Sequence, residues 1–318
     1  MKQADDFFRY SRERHNVYLK RRDGEPAPWT EDPTLNHTGF TNIYRELDRV
    51  TIWFRQNIRD RLAGTRDVVP WTTIFRWFNR ISTGEALVRH LNQLMISGDT
   101  TGMGFWDRQL AEQIIREELP RGPWVTGSYM VCSGFSNGDK LTGMLDFCDR
   151  FVDWYDDVGQ YEFWNDHGHP CLSMEKAHKL LVPLPGLAGF TAYEVVTDLR
   201  YARALNPIDR MTWAHAGPGA TRGGSRVLHG EPHLLSQGNR EHQQQLQELM
   251  RQLLRMSQSG VYWPQNDPDW PAWEMREVEH TLCEFDKYER VRREQGPAKR
   301  RFYPSKAGPL LPSGLGGL

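Results

Sequence analysis

The feature that most limits what this chain can fold into is helical periodicity, repeated along its length with almost no strand-like alternation. Between residues 40 and 58, Phe40, Ile43, Tyr44, Leu47, Val50, Ile52, Phe54 and Ile58 recur at steps that share one broad face of a helix, with arginines at other positions. Thr41 stands where a cap is expected. The stretch from Asp6 to Arg22 has the same character, and the proline- and glycine-containing run DGEPAPWTEDPTLNHTG separates the two. Further helices are expected over 71–95, over Asp107–Leu119 with a stop at Pro120, and over 143–164, 173–182, 239–257 and 273–293. The glycine-rich stretch 121–143 reads as a loop. The Gly/Pro-rich run from Pro304 reads as a flexible tail, 304–318. Repeats and sustained heptads are absent, and no composition shift marks an internal boundary. The expectation is a mainly α fold with one helical domain over 1–303.

Composition narrows function by exclusion. The 318 residues carry a formal net charge of −1, so any nucleic-acid contact must come from local basic patches. Twelve tryptophans supply core, interface or base-stacking surface. The cysteines at 132, 148, 171 and 283 form no C-x-x-C pair, which fits reduced thiols in a cytoplasm. No apolar run reaches transmembrane length, and the charged N-terminus lacks a signal-peptide apolar stretch. A soluble, cytoplasmic protein without a membrane partner is expected.

Three stretches carry candidate chemistry. LPGLAGF, residues 184–190, lies between two helical patterns as in a helix-hairpin-helix, where Gly186 and Gly189 would allow a tight turn and amides that hold a DNA phosphate. A plain glycine-capped link explains the same residues equally well. HAGPGATRGGSR combines Gly217 and Gly219 with Arg222 and Arg226, a set suited to phosphate oxygens, against the simpler reading of a structural loop. On the last helix Glu277, His280, Glu284 and Lys287 follow at helical steps, with Glu279, Asp286 and Arg290 on a neighbouring stripe; a solvated face with ion pairs is the bland alternative. HGHPC at 167–171 lacks the second half of a zinc site, and no metal is expected there. No G-x-x-x-x-G-K-[ST] phosphate loop occurs; SGFSNGDKL at 133–141 is the nearest imitation, with the wrong spacing.

Taken together, PWTEDPTLNHTGFTNIYRELDRVTIWF, GFTAYEVVTDLR with HAGPGATRGG, and VEHTLCEFDKYERVR resemble the α-glutamyl/putrescinyl thymine pyrophosphorylases, relatives of the DNA glycosylases, over roughly residues 7–303. The first block is also similar to the helical domain attached to phage 5-hydroxymethyluracil DNA kinases; the missing phosphate loop is read as excluding the kinase itself. The resemblance implies a helix-hairpin-helix, glycosylase-like fold. It further implies a transferase that displaces pyrophosphate from pyrophosphorylated 5-hydroxymethyluracil in DNA with an amino acid or polyamine. Its partners would then be modified DNA, the amine donor, and a kinase or other proteins of the modification system, in the host cytoplasm if the gene is a phage's.

On that reading Arg222 and Arg226, with the Gly217 and Gly219 amides, face the pyrophosphate. Asp198, Glu279 and Asp286 are candidate bases for the ammonium nucleophile. Asn42, Arg45, Asp48 and Arg49 on the early helix, with His280, Glu284 and Lys287, line the substrate pocket, while Gly186 and Gly189 hold the DNA backbone. A divalent cation bridging pyrophosphate and carboxylates would fit, although no motif demands one. Two alternatives compete. A hydrolytic glycosylase would use Asp209, about twenty residues beyond the hairpin, although Thr191 stands where lyase-type relatives carry lysine. The other is a non-catalytic DNA-binding subunit.

Overall fold

Caps and end charges account for most element boundaries in the computed structural model, which describes residues 1–97, 106–127, 139–297, 300–307 and 310. The chain groups into two compact units, Met1–Ile52 with Arg210–Leu318, and Trp53–Asp209. Among the described residues every regular element is helical, and the only β pairings are isolated bridges, Thr38 with Arg301 and Trp164 with Pro170.

The first unit opens with α1 (Ala4–Arg22), which carries Asp5 and Asp6 in its first turn and Lys20, Arg21 and Arg22 in its last, matching the helix dipole at both ends. Asp32 caps the short α2 (Pro33–His37) by accepting from the Thr34 and Leu35 amides. The division between the units falls within α3 (Arg49–Phe54). In the second unit a π-helical turn (Arg55–Arg59) leads into the single-turn α4 (Asp60–Leu62). Next come α5 (Val68–Phe78), stopped by Asn79 in the left-handed region, and α6 (Ile81–Ser97). Asp107 and Asp139 cap α7 (Arg108–Glu118) and α8 (Lys140–Trp154). A second π-helical turn (Tyr155–Gly159) precedes α9 (Gln160–Phe163), α10 (Met174–Leu181) and α11 (Gly189–Leu199). The first unit resumes with α12 (Pro218–His229), α13 (Arg240–Ser257) and α14 (Met275–Arg292), the last opened by a reciprocal Glu274–Glu277 capping box.

Aromatic packing forms the core of each unit. In the first, Phe7 meets Trp273 and Phe285 edge-on, and Trp263 packs on Trp273. In the second, Trp77 stacks on Phe147 at 3.8 Å and Phe54 on Phe75 at 4.6 Å.

The mainly α expectation holds. Three local readings change. Residues 40–44 do not continue a helix: Asn42 donates through Nδ2 to the Leu47 carbonyl and through its amide to Asp48, a local arrangement that competes with helical bonding. A 3-10 turn at Arg45–Leu47 follows, and Thr41 bonds His280 instead of capping. HAGPGATRGGSR is mostly helix, because Gly217 takes the cap position and Pro218 the first turn of α12. Helix α8 begins at Lys140, inside the expected 121–143 loop. Residues 128–138 of that loop, with Cys132 and most of the 133–141 imitation motif, lie outside the described residues, as does most of the 304–318 tail. Among the described residues no helix is long and apolar enough to cross a membrane.

Candidate functional site

In the first unit, α14 is buried on nearly all sides, and its charges are buried with it. Glu277, Glu279, Glu284, Asp286 and Glu289 are all at most 9% exposed. Burying a charge is costly unless it is paired, so the expected solvated face is replaced by a network. Arg222 and Arg226, one turn apart on α12, both donate to Asp286, at 2.7 and 2.9 Å. Arg276 holds Glu279 at 2.6 Å, and Arg292 and Arg293 hold Glu289.

A second group gathers around the segment 40–48. Arg14 of α1 donates to the Thr41 carbonyl at 2.9 Å and to Asn42 Oδ1 at 2.7 Å. The Thr41 amide and Lys287 both donate to Glu284, at 3.0 and 2.6 Å. His280 Nε2 lies 2.9 Å from Thr41 Oγ1. Asp48 Oδ1 accepts from the Asn42 amide and side chain, and among the described residues Asp48 Oδ2 has no hydrogen-bond partner.

Burial sets the proton affinities here. It raises Asp48 to about 6, although the Asn42 amide, Arg14 and Arg45 favour the charged form. It lowers His280 to about 3, with Arg276 adding to the effect, so the imidazole is neutral at neutral pH. Burial also works against the Glu284 carboxylate, but Lys287, His280 and the Thr41 amide outweigh it and hold the group below its usual range.

These shifts imply a pH dependence of stability. His280, and His15 at about 4 through burial, bind protons more readily when unfolded, so each removes stability as pH falls below about 6.5. Asp48 binds its proton more readily when folded and acts oppositely between about 3.8 and 6. The net loss therefore sets in near pH 6.5 and continues to about pH 4, with His90, also lowered to about 4 by burial, adding to it and Asp48 offsetting part of it below pH 6. Urea midpoints measured from pH 8 to 4.5 should show this, and Asp48→Asn should steepen the loss below pH 6; a flat wild-type profile would contradict the assignment.

The structure thus brings together Asn42, Asp48, His280, Glu284 and Lys287, with Arg45 acting electrostatically on Asp48 and His280. Arg49 is exposed. Arg222, Arg226 and Asp286 form a set of their own. Gly217 accepts the Thr221 amide and hydroxyl through its carbonyl, and Gly219 packs on Cys283 at the crossing of α12 and α14, so neither sits in an open loop. The remaining candidates lie in the second unit. Asp198 is buried in a paired grip with Arg76, at 2.5 and 2.9 Å, with Arg59 at 3.7 Å. Gly186, at φ +90°, sits against Phe147 and Trp77, and the Gly189 carbonyl meets His178. Asp209 caps α10 through the Met174 and Glu175 amides. Arg14 was missed. Its sequence signal is an arginine in register with Tyr10, Val17 and Tyr18 on the apolar face of α1. Among the described residues no group of three or more His, Cys, Asp or Glu side chains is placed to hold a metal ion.

The geometry defines an all-α protein with buried arginine–carboxylate and histidine clusters along one central helix. The chain belongs to the family of the 5-hmdU DNA kinase helical domain, whose model matches residues 1–297. It is 28% identical over 228 residues to the 5-hmdU DNA kinase of Bacillus phage SP10, an alignment covering 66% of this chain and 34% of the relative. The chain therefore spans about a third of the length of the curated relative it matches. No solved structure matches.

These findings overturn the thymine pyrophosphorylase resemblance. With it go the amine-for-pyrophosphate reaction, its amino acid or polyamine donor, and the glycosylase alternative. The missing phosphate loop did not exclude the family, because the match is to a helical domain.

Proposed function

We propose that this chain serves the phosphorylation of 5-hydroxymethyluracil in DNA, handling the DNA acceptor as the helical domain of a 5-hmdU DNA kinase. The family match over residues 1–297 carries this reading. Phosphoryl transfer is mainly positioning and charge stabilisation, with a group to receive the acceptor proton. The cluster at α14 supplies such groups. Asp48, raised to about 6 by burial and with Oδ2 unbonded, suits the proton of a hydroxymethyl group. Arg222, its guanidinium partly exposed and oriented by Asp286, suits a phosphate oxygen, and Arg226 lies one turn away. The donor nucleotide is assigned to the part of such kinases that this chain does not match.

A DNA backbone contact is supported in the second unit. The order α10, a turn with Gly186 at positive φ, and α11 opening at Gly189 follows a helix-hairpin-helix, the glycosylase-like arrangement, and leaves first-turn amides for a phosphate.

The test is fluorescence anisotropy on oligonucleotides that differ only in thymine or 5-hydroxymethyluracil at one site. At least tenfold tighter binding of the modified strand is expected. Nucleosides from modified DNA should gain one phosphate when the chain is combined with ATP and the unmatched remainder of the SP10 kinase. Equal affinity for both strands would overturn the reading.

A further inference from the structure

A groove of about 650 Å³ opens in the first unit, lined by α1 residues Arg9, Tyr10, Glu13 and Lys20, by the segment 28–32, and by Tyr288 of α14. Its volume is in the range of small-molecule sites. Its wall is built rather than incidental. Thr30 donates to Glu13 at 2.5 Å, Tyr288 donates to Asp32 at 2.6 Å, and Lys20 holds the Trp29 carbonyl at 3.2 Å. Trp29, Tyr10 and Tyr288 give it aromatic surface. Glu31 stands exposed at the rim, and among the described residues its carboxylate has no partner.

One residue of this wall carries an unsatisfied group behind it. The Tyr10 hydroxyl is enclosed, and among the described residues it has no hydrogen-bond partner. An enclosed polar group of this kind is a cost that a bound ligand can remove. Tyr10 also joins the groove to the cluster at α14: Glu284 and Arg14 are close enough to act on its hydroxyl electrostatically, and its ring lies 4.8 Å from that of Tyr288.

We propose that this groove receives a single pyrimidine base swung out of the DNA strand, and that the Tyr10 hydroxyl meets its 5-hydroxymethyl group. The inference rests on the kinase reading above and names where that reaction's acceptor base sits. The chemistry is complementary. A uracil ring offers an imide N–H, which a carboxylate such as Glu31 accepts, and carbonyl oxygens, which Lys20 can reach with its ammonium group. Its flat face suits Trp29 and Tyr288. A thymine methyl cannot pair with the Tyr10 hydroxyl, whereas a hydroxymethyl can, so this one residue separates the two bases. Because the hydroxyl has no accessible surface, the residues that enclose it must give way as the base enters.

Tyr10→Phe tests this directly, because it removes only an unpaired hydroxyl and leaves the ring packed. Affinity for oligonucleotides carrying thymine or 5-hydroxymethyluracil is measured for the wild type and for Tyr10→Phe. The expected result is that the wild type's preference for the modified base, tenfold or more, falls to within about twofold of unity in the variant, with thymine affinity unchanged. Glu31→Gln, at the exposed rim, should weaken both strands about threefold without altering the preference. If Tyr10→Phe keeps the full preference, the groove assignment is overturned while the kinase reading stands. If the wild type shows no preference, the kinase reading itself fails.

Discussion

Replacing Gly223 with alanine is expected to destabilise the first unit by about 3 kcal/mol. A methyl group at that position would fall on the Leu282 carbonyl oxygen of α14, with the Leu282 carbonyl and α carbons just behind it. The obstacle is backbone and cannot rotate away, so α12 and α14 would have to separate. Gly219 and Gly224 make close approaches on the same helix, to Cys283 and to Leu246, so separation would also disturb those contacts. Gly127 is the control, since among the described residues nothing lies within 4 Å of a methyl built there. Gly127→Ala should change stability by no more than about 0.5 kcal/mol. Equilibrium urea unfolding of both variants decides it, and equal midpoints would refute the close crossing.

Asp198→Asn is expected to cost the second unit about 3–5 kcal/mol. Arg76 and Asp198 are 1% and 2% exposed, and the two oxygens of Asp198 take both a paired grip from Arg76 and the nearby charge of Arg59. Removing the carboxylate charge takes from the buried Arg76 guanidinium the group that grips it in pairs, while Arg59 retains Asp60 at 3.2 Å. Arg76 also meets Asn79 and the faces of Phe54 and Phe75, none of which carries a negative charge. Any loss of activity in Asp198→Asn should therefore track loss of folded protein. The check is thermal unfolding beside binding: a variant that melts at the wild-type temperature yet no longer functions would restore Asp198 to a chemical role. Replacing Arg76 and Asp198 together by apolar residues of similar volume should recover much of the stability, because no lone charge then remains.

Those two positions show what the sequence could convey. Helical periodicity located most helices, because an amphipathic pattern depends only on neighbouring residues. Helix α12 was missed for the reason that makes Gly223 sensitive: its glycines resemble a loop locally and are explained only by a helix distant in sequence. The charges of α14 resembled a solvated face because their partners come from elsewhere, Arg222 and Arg226 from α12 and Thr41 from the segment before α3. The early polar set was legible as far as Asn42, Asp48, His280, Glu284 and Lys287 coming together. Arg14 and Tyr10 were not, since an arginine or tyrosine on an apolar face looks like packing until the atoms around it are known. The chemistry assigned from resemblance failed because three short blocks were made to decide the family, although the first of them already pointed to the helical domain of the kinases.

The first unit takes its helices from both ends of the described chain, and the second lies between them in sequence. During synthesis this imposes an order. All of Trp53–Asp209 has left the ribosome before α12 appears, so the second unit can close while α1 still lacks α14, the helix that covers Phe7 and Tyr10. A chain stalled before residue 275 would carry one finished unit and one exposed aromatic helix, a form that chaperones and proteases recognise. The buried network along α14 is made only after the whole of the second unit, and the groove wall at Tyr288 is completed with it.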